Sequence, residues 1–393
     1  MTNAIKNAHT LTARNPGIDM LRGISIMLVI LHHLALRIPL AKSTLALVMP
    51  GFLLNGLLSN GYEAVFIFFV VSGFLITSNS LERWGRLGAI DLRAFYTRRA
   101  ARILPCLLLL LAALSALHLA GVTNFVIDSE RQSLGRALLS ALGMHLNWYE
   151  GQTGYLPANW DVLWSLSIEE AFYLGFPLLC IGVRRDRLLM LMLLVFACAL
   201  PALRAAVDGS QIWHQKAYLP AMAAISMGAF GALLAARWQP SRPSTLLLLR
   251  AAGAAGISAV FYFDEAVWHV LGKGSLLLMT ASALALVLSF HWRVPGTAAP
   301  SLPGTGWLQS FGRLSYEIYL SHMFVVWLVV AAFTATGASQ THAWLYYLPA
   351  IGASWLLGAL VERTVSSPCR RFLMRRAHPG AVPPAAAAIQ PSR

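Results

Sequence analysis

Long apolar stretches are the feature that most limits how this chain of 393 residues can fold. A helix needs about 20 apolar residues to cross the hydrocarbon layer of a bilayer, and ten stretches are long enough. The chain is 57% hydrophobic and only 12% charged, which excludes a soluble domain. We therefore predict an all-α polytopic membrane protein with about ten transmembrane helices, over residues 18–36, 62–80, 103–122, 161–183, 188–206, 217–236, 245–263, 274–292, 315–335 and 344–361.

The positions of lysine and arginine test this count, because cytoplasmic loops carry the excess of both. With the N-terminus inside, only seven of the 30 cations fall in outer loops. A miscounted span would invert every later loop and destroy this asymmetry. We therefore place both termini in the cytoplasm. The seven outer cations are Arg37, Lys42, Arg131, Arg136, Arg204, Lys216 and Lys273.

One membrane domain fills most of the chain. We predict a cytoplasmic segment over residues 1–16, a transmembrane domain over 17–376 and a disordered cytoplasmic tail over 377–393, which is rich in Ala and Pro. The first span is expected to be a retained anchor. The longest extracytoplasmic connection covers residues 121–160, and a second outer stretch, 41–61, is apolar enough to lie in the interface or re-enter. These features predict a multi-pass protein of the cell membrane.

Charge and motif content exclude several functional classes. The net charge of +14 is spread over loops beside apolar spans, which favours anionic lipid headgroups over nucleic acid as the partner. No metal site is predicted, because the four cysteines lack CxxC spacing and the remaining histidines are scattered. The chain also lacks GxSxG, HExxH, Walker and GxGxxG motifs, so hydrolase, metallopeptidase and nucleotidase functions are not indicated.

Two ionisable residues, Arg22 and His33, lie at opposite ends of the first span. Eleven residues of α-helix turn through about 1100°, close to three full turns, so both share one face about 16 Å apart. Ionisable groups inside a membrane are costly and usually functional. The pair suggests a donor site connected to a reaction centre, although a neighbouring helix could also satisfy the imidazole.

Several motifs, in order along the chain, resemble those of the integral-membrane acyltransferase family 3, the O-acetyltransferase family. The matching segments are GIDMLRGISIMLVILHH in the first span, FFVVSGFLI in the second, FYTRRAARILP before the third, WSLSIEEAFYLGFPLL in the fourth, GRLSYEIYLSHMF in the ninth and the closing VERTVSSPCRRF.

The resemblance implies an enzyme that moves an acyl group, usually acetyl, from cytoplasmic acyl-CoA to a hydroxyl. The acceptor is commonly a sugar of a surface polysaccharide or glycolipid. Acyl-CoA is then a co-substrate, and no bound cofactor is expected. Some family members carry a C-terminal extracytoplasmic esterase-like domain; we expect none here, and we expect the chain to act alone or with separate polysaccharide-assembly partners.

The family pattern of an arginine and a histidine ten residues apart maps onto Arg22 and His33. A neutral imidazole can accept a proton from an acceptor hydroxyl, so His33 is the candidate general base. His32 lies about 100° around the helix, so we expect that the two imidazoles cannot face the same cavity equally. The family's fourth-span acid corresponds to Glu169, which we expect to orient His33. The adjacent Glu170 could equally be an interface charge near the outer rim.

The family's RxxR motif corresponds to Arg99 and Arg102, which share a helix face at the cytoplasmic edge. Guanidinium groups match phosphate oxygens, so these two residues, with Arg22, are candidates for binding acyl-CoA. Positive-inside anchoring would explain the same arginines without a ligand.

Three further residues stand out within spans. His322 and Tyr319 of the ninth-span motif could line the donor tunnel or position the thioester, while packing is an equal alternative for Tyr319. Ser72 precedes Gly73 in the second span, where close helix packing by small residues is favoured over a nucleophilic serine.

A second class of function uses the same intramembrane charges. In a transporter or flippase of a glycan or lipid precursor, these residues would mark a substrate or proton path. Inverted repeats with paired broken helices would favour transport, and none is evident in the sequence.

Overall fold

The computed structural model describes residues 14–292 and 303–377, and these residues form helices and turns without a strand. By length and composition, nine helical segments among them can cross a membrane, and some of these contain more than one of the helices numbered below. They are Pro16–Ala35, Gly61–Trp84, Leu92–Leu119, Ala158–Val183, Gln211–Ala235, Pro243–Tyr262, Asp264–His291, Ser315–Ala335 and Gln340–Arg376. The predicted all-α, multi-pass fold is confirmed.

The α-helices of the described residues are numbered in chain order. They are α1 Pro16–Ala35, α2 Leu45–Val48, α3 Gly51–Leu58, α4 Gly61–Trp84, α5 Leu92–Leu119, α6 Leu134–Leu142, α7 Leu146–Thr153, α8 Leu163–Val183, α9 Asp186–Cys198, α10 Leu200–Ala205, α11 Gln211–Lys216, α12 Tyr218–Ala235, α13 Pro243–Tyr262, α14 Asp264–Leu271, α15 Ser275–His291, α16 Gly306–Arg313, α17 Ser315–Ala335, α18 Tyr347–Val361 and α19 Ser367–Ala377.

The fifth predicted span, 188–206, is two helices rather than one. α9 ends at Cys198 and α10 begins at Leu200, with Ala199 capping both. Pro201 occupies the first turn of α10, where its missing N–H costs nothing, whereas inside a continuous helix it would break a hydrogen bond. The hydropathy of the segment is that of a span, and Pro201 lies just after the break.

The first span forms as predicted and sets the axis of the site. Asn15 caps α1 by accepting hydrogen bonds from the backbone N–H groups of Gly17 and Ile18, and Pro16 occupies the first helical turn. The helix then continues unbroken to Ala35. Arg22 and His33 therefore lie at opposite ends of one rigid element.

Small residues bring α4 and α12 into backbone contact. A Cβ atom on Gly73 would lie 1.9 Å from the carbonyl oxygen of Ile225, and one on Gly228 would lie 1.9 Å from that of Val70. Both glycines are therefore required by the close approach, as in other membrane helix pairs that pack through small residues. The helices therefore pack closely at Gly73.

Both predicted outer stretches contain short helices. Segment 41–61 includes α2 and α3, and connection 121–160 includes α6 and α7. The second connection packs back onto the bundle, because the Ser167 hydroxyl of α8 accepts a hydrogen bond from the backbone N–H of Leu146 at 3.3 Å. Most of the predicted terminal segments, 1–16 and 377–393, lies outside the described residues.

Candidate active site

Two cavities lie along α1, one toward each of its ends. The inner cavity, on the Arg22 side, has a volume of about 850 Å³ and is lined by α1, α4, α5, α8 and α17. The outer cavity, on the His33 side, measures about 1350 Å³ and is lined by α1, α4, α11, α17 and the segment leading into α8. Val65 and Tyr319 line both cavities, so the two spaces meet at these side chains.

The three arginines predicted to bind the donor share the inner cavity. Arg22 donates a hydrogen bond to the Ser315 hydroxyl at 2.7 Å, which fixes its guanidinium against α17. The Arg99 guanidinium lies 4.5 Å from the ring centre of Tyr173, a cation–π contact. Arg102 is exposed at the mouth of the cavity. Three positive charges from two helices thus converge on one space.

Glu169 belongs to this inner group. Its Oε2 atom accepts hydrogen bonds from the Ser72 hydroxyl at 3.2 Å and from the Tyr173 hydroxyl at 3.0 Å. Glu169 and His33 line different cavities, so the expectation that this carboxylate orients His33 is not met. The sequence does not show how far along α8 Glu169 lies relative to the position of His33 on α1.

Glu170 also lines the inner cavity rather than standing at the outer rim. Its Oε1 atom is buried and has no hydrogen-bond partner among the described residues. The residue also borders a second, largely apolar cavity of about 780 Å³ between α5 and α8. The alternative of an outer interface charge is therefore wrong for Glu170.

Both imidazoles at the end of α1 line the outer cavity, where they make different contacts. The Nδ1 atom of His32 lies 3.0 Å from the carbonyl oxygen of Leu58, so it must donate its proton there. The His33 backbone carbonyl accepts a hydrogen bond from Arg37, whereas its Nδ1 atom is buried without a partner in the described part of the chain.

Tyr319 lies at the boundary between the cavities. Its hydroxyl lies 2.7 Å from the Ser165 hydroxyl and donates a hydrogen bond to the carbonyl oxygen of Val162 at 3.1 Å. These contacts hold the ring across the start of α8. The side chain thus has a defined place in the wall between inner and outer spaces.

His322 is fully buried on α17, and its ring centre lies 5.2 Å from that of His33. The sequence motif indicated an intramembrane imidazole but not which helix it would approach. Within the described residues, no group of three or more His, Cys, Asp or Glu side chains is arranged to hold a metal ion.

Sequence reasoning missed an ion-pair cluster at the outer cavity. Lys216 pairs with Glu150 at 2.7 Å and also contacts Asp161, while its ammonium lies 4.5 Å from the ring centre of Tyr155. Burial raises the pKa of the Glu150 carboxyl, and the Asp161 carboxylate adds to this while Lys216 opposes it. The cluster joins α7 and α11 to the segment that leads into α8. The sequence signal that could have revealed the cluster was Lys216 itself, one of the seven cations predicted in outer loops.

Comparison with known proteins agrees with this architecture. Residues 15–363 match a family model described as an acyltransferase domain, that of acyltransferase family 3. The O-acetyltransferase OatA of Staphylococcus aureus strain NCTC 8325 is 23% identical over 381 residues, covering 91% of this chain. OatA of strain COL shows the same values, and another strain COL protein, provisionally named an O-acetyltransferase, is 23% identical over 378 residues with the same coverage.

The chain spans 57% of the length of these relatives. No solved structure matches it. The family model, in contrast, covers most of the chain and includes the elements that line both cavities. The chain belongs to acyltransferase family 3.

Proposed function

We propose that this chain is a membrane O-acyltransferase that takes an acyl group, most simply acetyl, from cytoplasmic acyl-CoA and transfers it to an acceptor hydroxyl outside. One observation carries the proposal: two cavities of different character at the two ends of α1 meet at Val65 and Tyr319. The inner one contains three arginines, and the outer one contains two histidines. This is the arrangement that transfer across a membrane requires.

The inner cavity suits a donor that carries several phosphates. Arg22, Arg99 and Arg102 all line it, and guanidinium groups bind phosphate oxygens through paired, charge-assisted hydrogen bonds. The predicted topology puts this end of α1 on the cytoplasmic side, where acyl-CoA is available. The nucleotide end of acyl-CoA would bind near Arg102, with the thioester directed toward Tyr319.

His33 is the proposed general base. It removes the proton from the acceptor hydroxyl while that oxygen attacks the thioester carbonyl. The carbon–sulfur bond then breaks, and the departing CoA sulfur takes up a proton equivalent to the one removed. The products are an ester and free CoA. His32 shares the cavity, but its Nδ1 proton is committed to the Leu58 carbonyl, and it remains a supporting candidate.

The outer cavity has features that suit a sugar acceptor. Its wall combines the aromatic rings of Tyr62, Tyr155 and Trp164 with the polar groups of Gln211 and Gln215. Aromatic faces and hydrogen-bonding groups are what a sugar ring with several hydroxyls would contact. The O-acetyltransferase names of the relatives support an acetyl group and a hydroxyl acceptor. We propose a carbohydrate or glycolipid acceptor, with separate polysaccharide-assembly partners, in the cell membrane.

Transport is less well supported than transfer. A transporter site is typically built from broken helices around a central substrate. The broken pair α9 and α10 contributes no residue to either cavity. The intramembrane charges instead lie on continuous helices.

A transfer assay tests the proposal directly. Purified protein with acetyl-CoA labelled in the acetyl group should label a glycan acceptor, and His33→Ala should reduce transfer by about 10²- to 10⁴-fold. His269→Ala is the matched control, because His269 is exposed on α14 and lines neither cavity. Near-normal transfer by a folded His33→Ala protein would remove the proposed base.

A further inference from the structure

Two neighbouring imidazoles, His33 at the outer cavity and His322 on α17, have complementary unsatisfied atoms. His33 Nδ1 and His322 Nε2 are both buried, and neither has a hydrogen-bond partner in the described part of the chain. A buried polar atom without a partner is costly, so such atoms usually have a role. Here the two belong to neighbouring rings on α1 and α17.

The backbone of α17 determines the tautomer of His322. Its Nδ1 atom lies 2.8 Å from the carbonyl oxygen of Tyr319 and 3.2 Å from that of Ile318. A carbonyl oxygen can only accept, so Nδ1 must carry the proton. In a neutral ring the remaining nitrogen, Nε2, then has a lone pair and acts as an acceptor.

The distance between the rings allows a direct hydrogen bond. The ring centres are 5.2 Å apart and the rings are tilted by 43°. Allowing for the size of each ring, this separation leaves about 3 Å between facing nitrogens, the length of a hydrogen bond. The two nitrogens are not bonded as the side chains stand, so forming this bond requires the His33 ring to turn about its side-chain bonds.

We propose that His322 is the positioning residue for the base. Its Nε2 atom accepts a hydrogen bond from Nδ1–H of His33, which leaves the Nε2 lone pair of His33 free to face the acceptor hydroxyl. The inference rests on the proposed function, because it assigns a role toward the His33 base. It gives His322 the orienting task that the sequence had suggested for Glu169, which instead binds Ser72 and Tyr173.

The chain of contacts also connects the two cavities. The Tyr319 carbonyl that fixes His322 belongs to the residue whose side chain lies between inner and outer spaces. One turn of α17 therefore supplies both the boundary residue and the group that orients the base. Such supporting contacts typically change activity by about 10- to 100-fold when removed.

Two variants of His322 separate positioning from packing. His322→Leu fills similar space but removes the acceptor, whereas His322→Gln has an amide oxygen that can replace Nε2. We expect His322→Leu to lower kcat for acetyl transfer by about 10- to 100-fold with an unchanged KM for acetyl-CoA. His322→Gln should keep activity within about threefold, which a purely structural role would not require. His269→Leu, at an exposed site on α14, is the control.

A spectroscopic measurement on the wild-type protein does not depend on either variant folding. Nitrogen-15 NMR of histidine-labelled protein, with the His33 signals assigned by their loss in His33→Ala, should show the Nδ1–H tautomer of His33. The Nε2–H tautomer would overturn the inference, as would full activity of His322→Leu. Full activity of His33→Ala would instead overturn the proposed function, so the two failures are distinguishable.

Discussion

The close approach of α4 and α12 makes a sharp prediction about Gly73. In Gly73→Ala, the new Cβ would lie 1.9 Å from the Ile225 carbonyl oxygen, where an ordinary contact is about 3.4 Å. The two helices must separate by about 1.5 Å, since the obstructing atom is backbone and cannot rotate away. Overpacking costs about 1–3 kcal/mol, and better helix propensity returns at most about 1 kcal/mol. We expect a net loss of about 1–2 kcal/mol in the free energy of unfolding.

The same shift should weaken the inner cavity, because the adjacent Ser72 donates to Glu169. The assay is unfolding of purified protein in mixed micelles, followed by tryptophan fluorescence, with acetyl transfer measured in parallel. Gly175→Ala on α8 is the matched control, because nothing lies within 4 Å of its Cβ position. We expect it to be neutral or slightly stabilising. Equal stability of the two variants would refute the packing argument.

Two further predictions concern charged residues. Lys216→Met should lower stability by about 3–5 kcal/mol in the same unfolding assay, because it leaves the fully buried Glu150 carboxyl without its cation. The exposed Lys273→Met should stay within about 0.5 kcal/mol of wild type, and a similar small effect of Lys216→Met would contradict the ion-pair role. Joint replacement of Arg99 and Arg102 by Gln should raise the KM for acyl-CoA about tenfold or more. Arg93→Gln, at a position outside the cavity, should leave the KM unchanged. An unchanged KM in the double variant would mean that Arg99 and Arg102 only determine membrane topology.

The transmembrane architecture followed from the sequence because hydropathy and charge asymmetry are local properties. The common face of Arg22 and His33 followed as well, since an uninterrupted helix fixes angle and distance. The spacing of Arg99 and Arg102, together with the family motifs, also implied that these arginines and Arg22 would line one cavity. The break at Ala199 was not predicted, because the hydropathy of segment 188–206 continues through Pro201.

Relations between helices could not be read from the sequence. Whether Glu169 reaches His33 depends on the relative depth and rotation of α8 and α1, which no local pattern fixes. The same holds for His322, which meets His33 only through the packing of α17 against α1. In the Lys216 cluster, Asp161 and Glu150 lie 55 and 66 positions before Lys216 in the chain. Their contact with Lys216 depends on how the outer connection folds back.

The sidedness of the reaction tests the central claim most directly. Acyl-CoA is polyanionic and does not cross a bilayer, so vesicles containing the protein in one orientation can hold donor and acceptor on opposite sides. With labelled acetyl-CoA on the Arg102 side and a glycan acceptor on the His33 side, we expect label on the acceptor, and about 10²- to 10⁴-fold less with His33→Ala. Equal labelling when donor and acceptor are together on the His33 side would contradict transfer across the membrane.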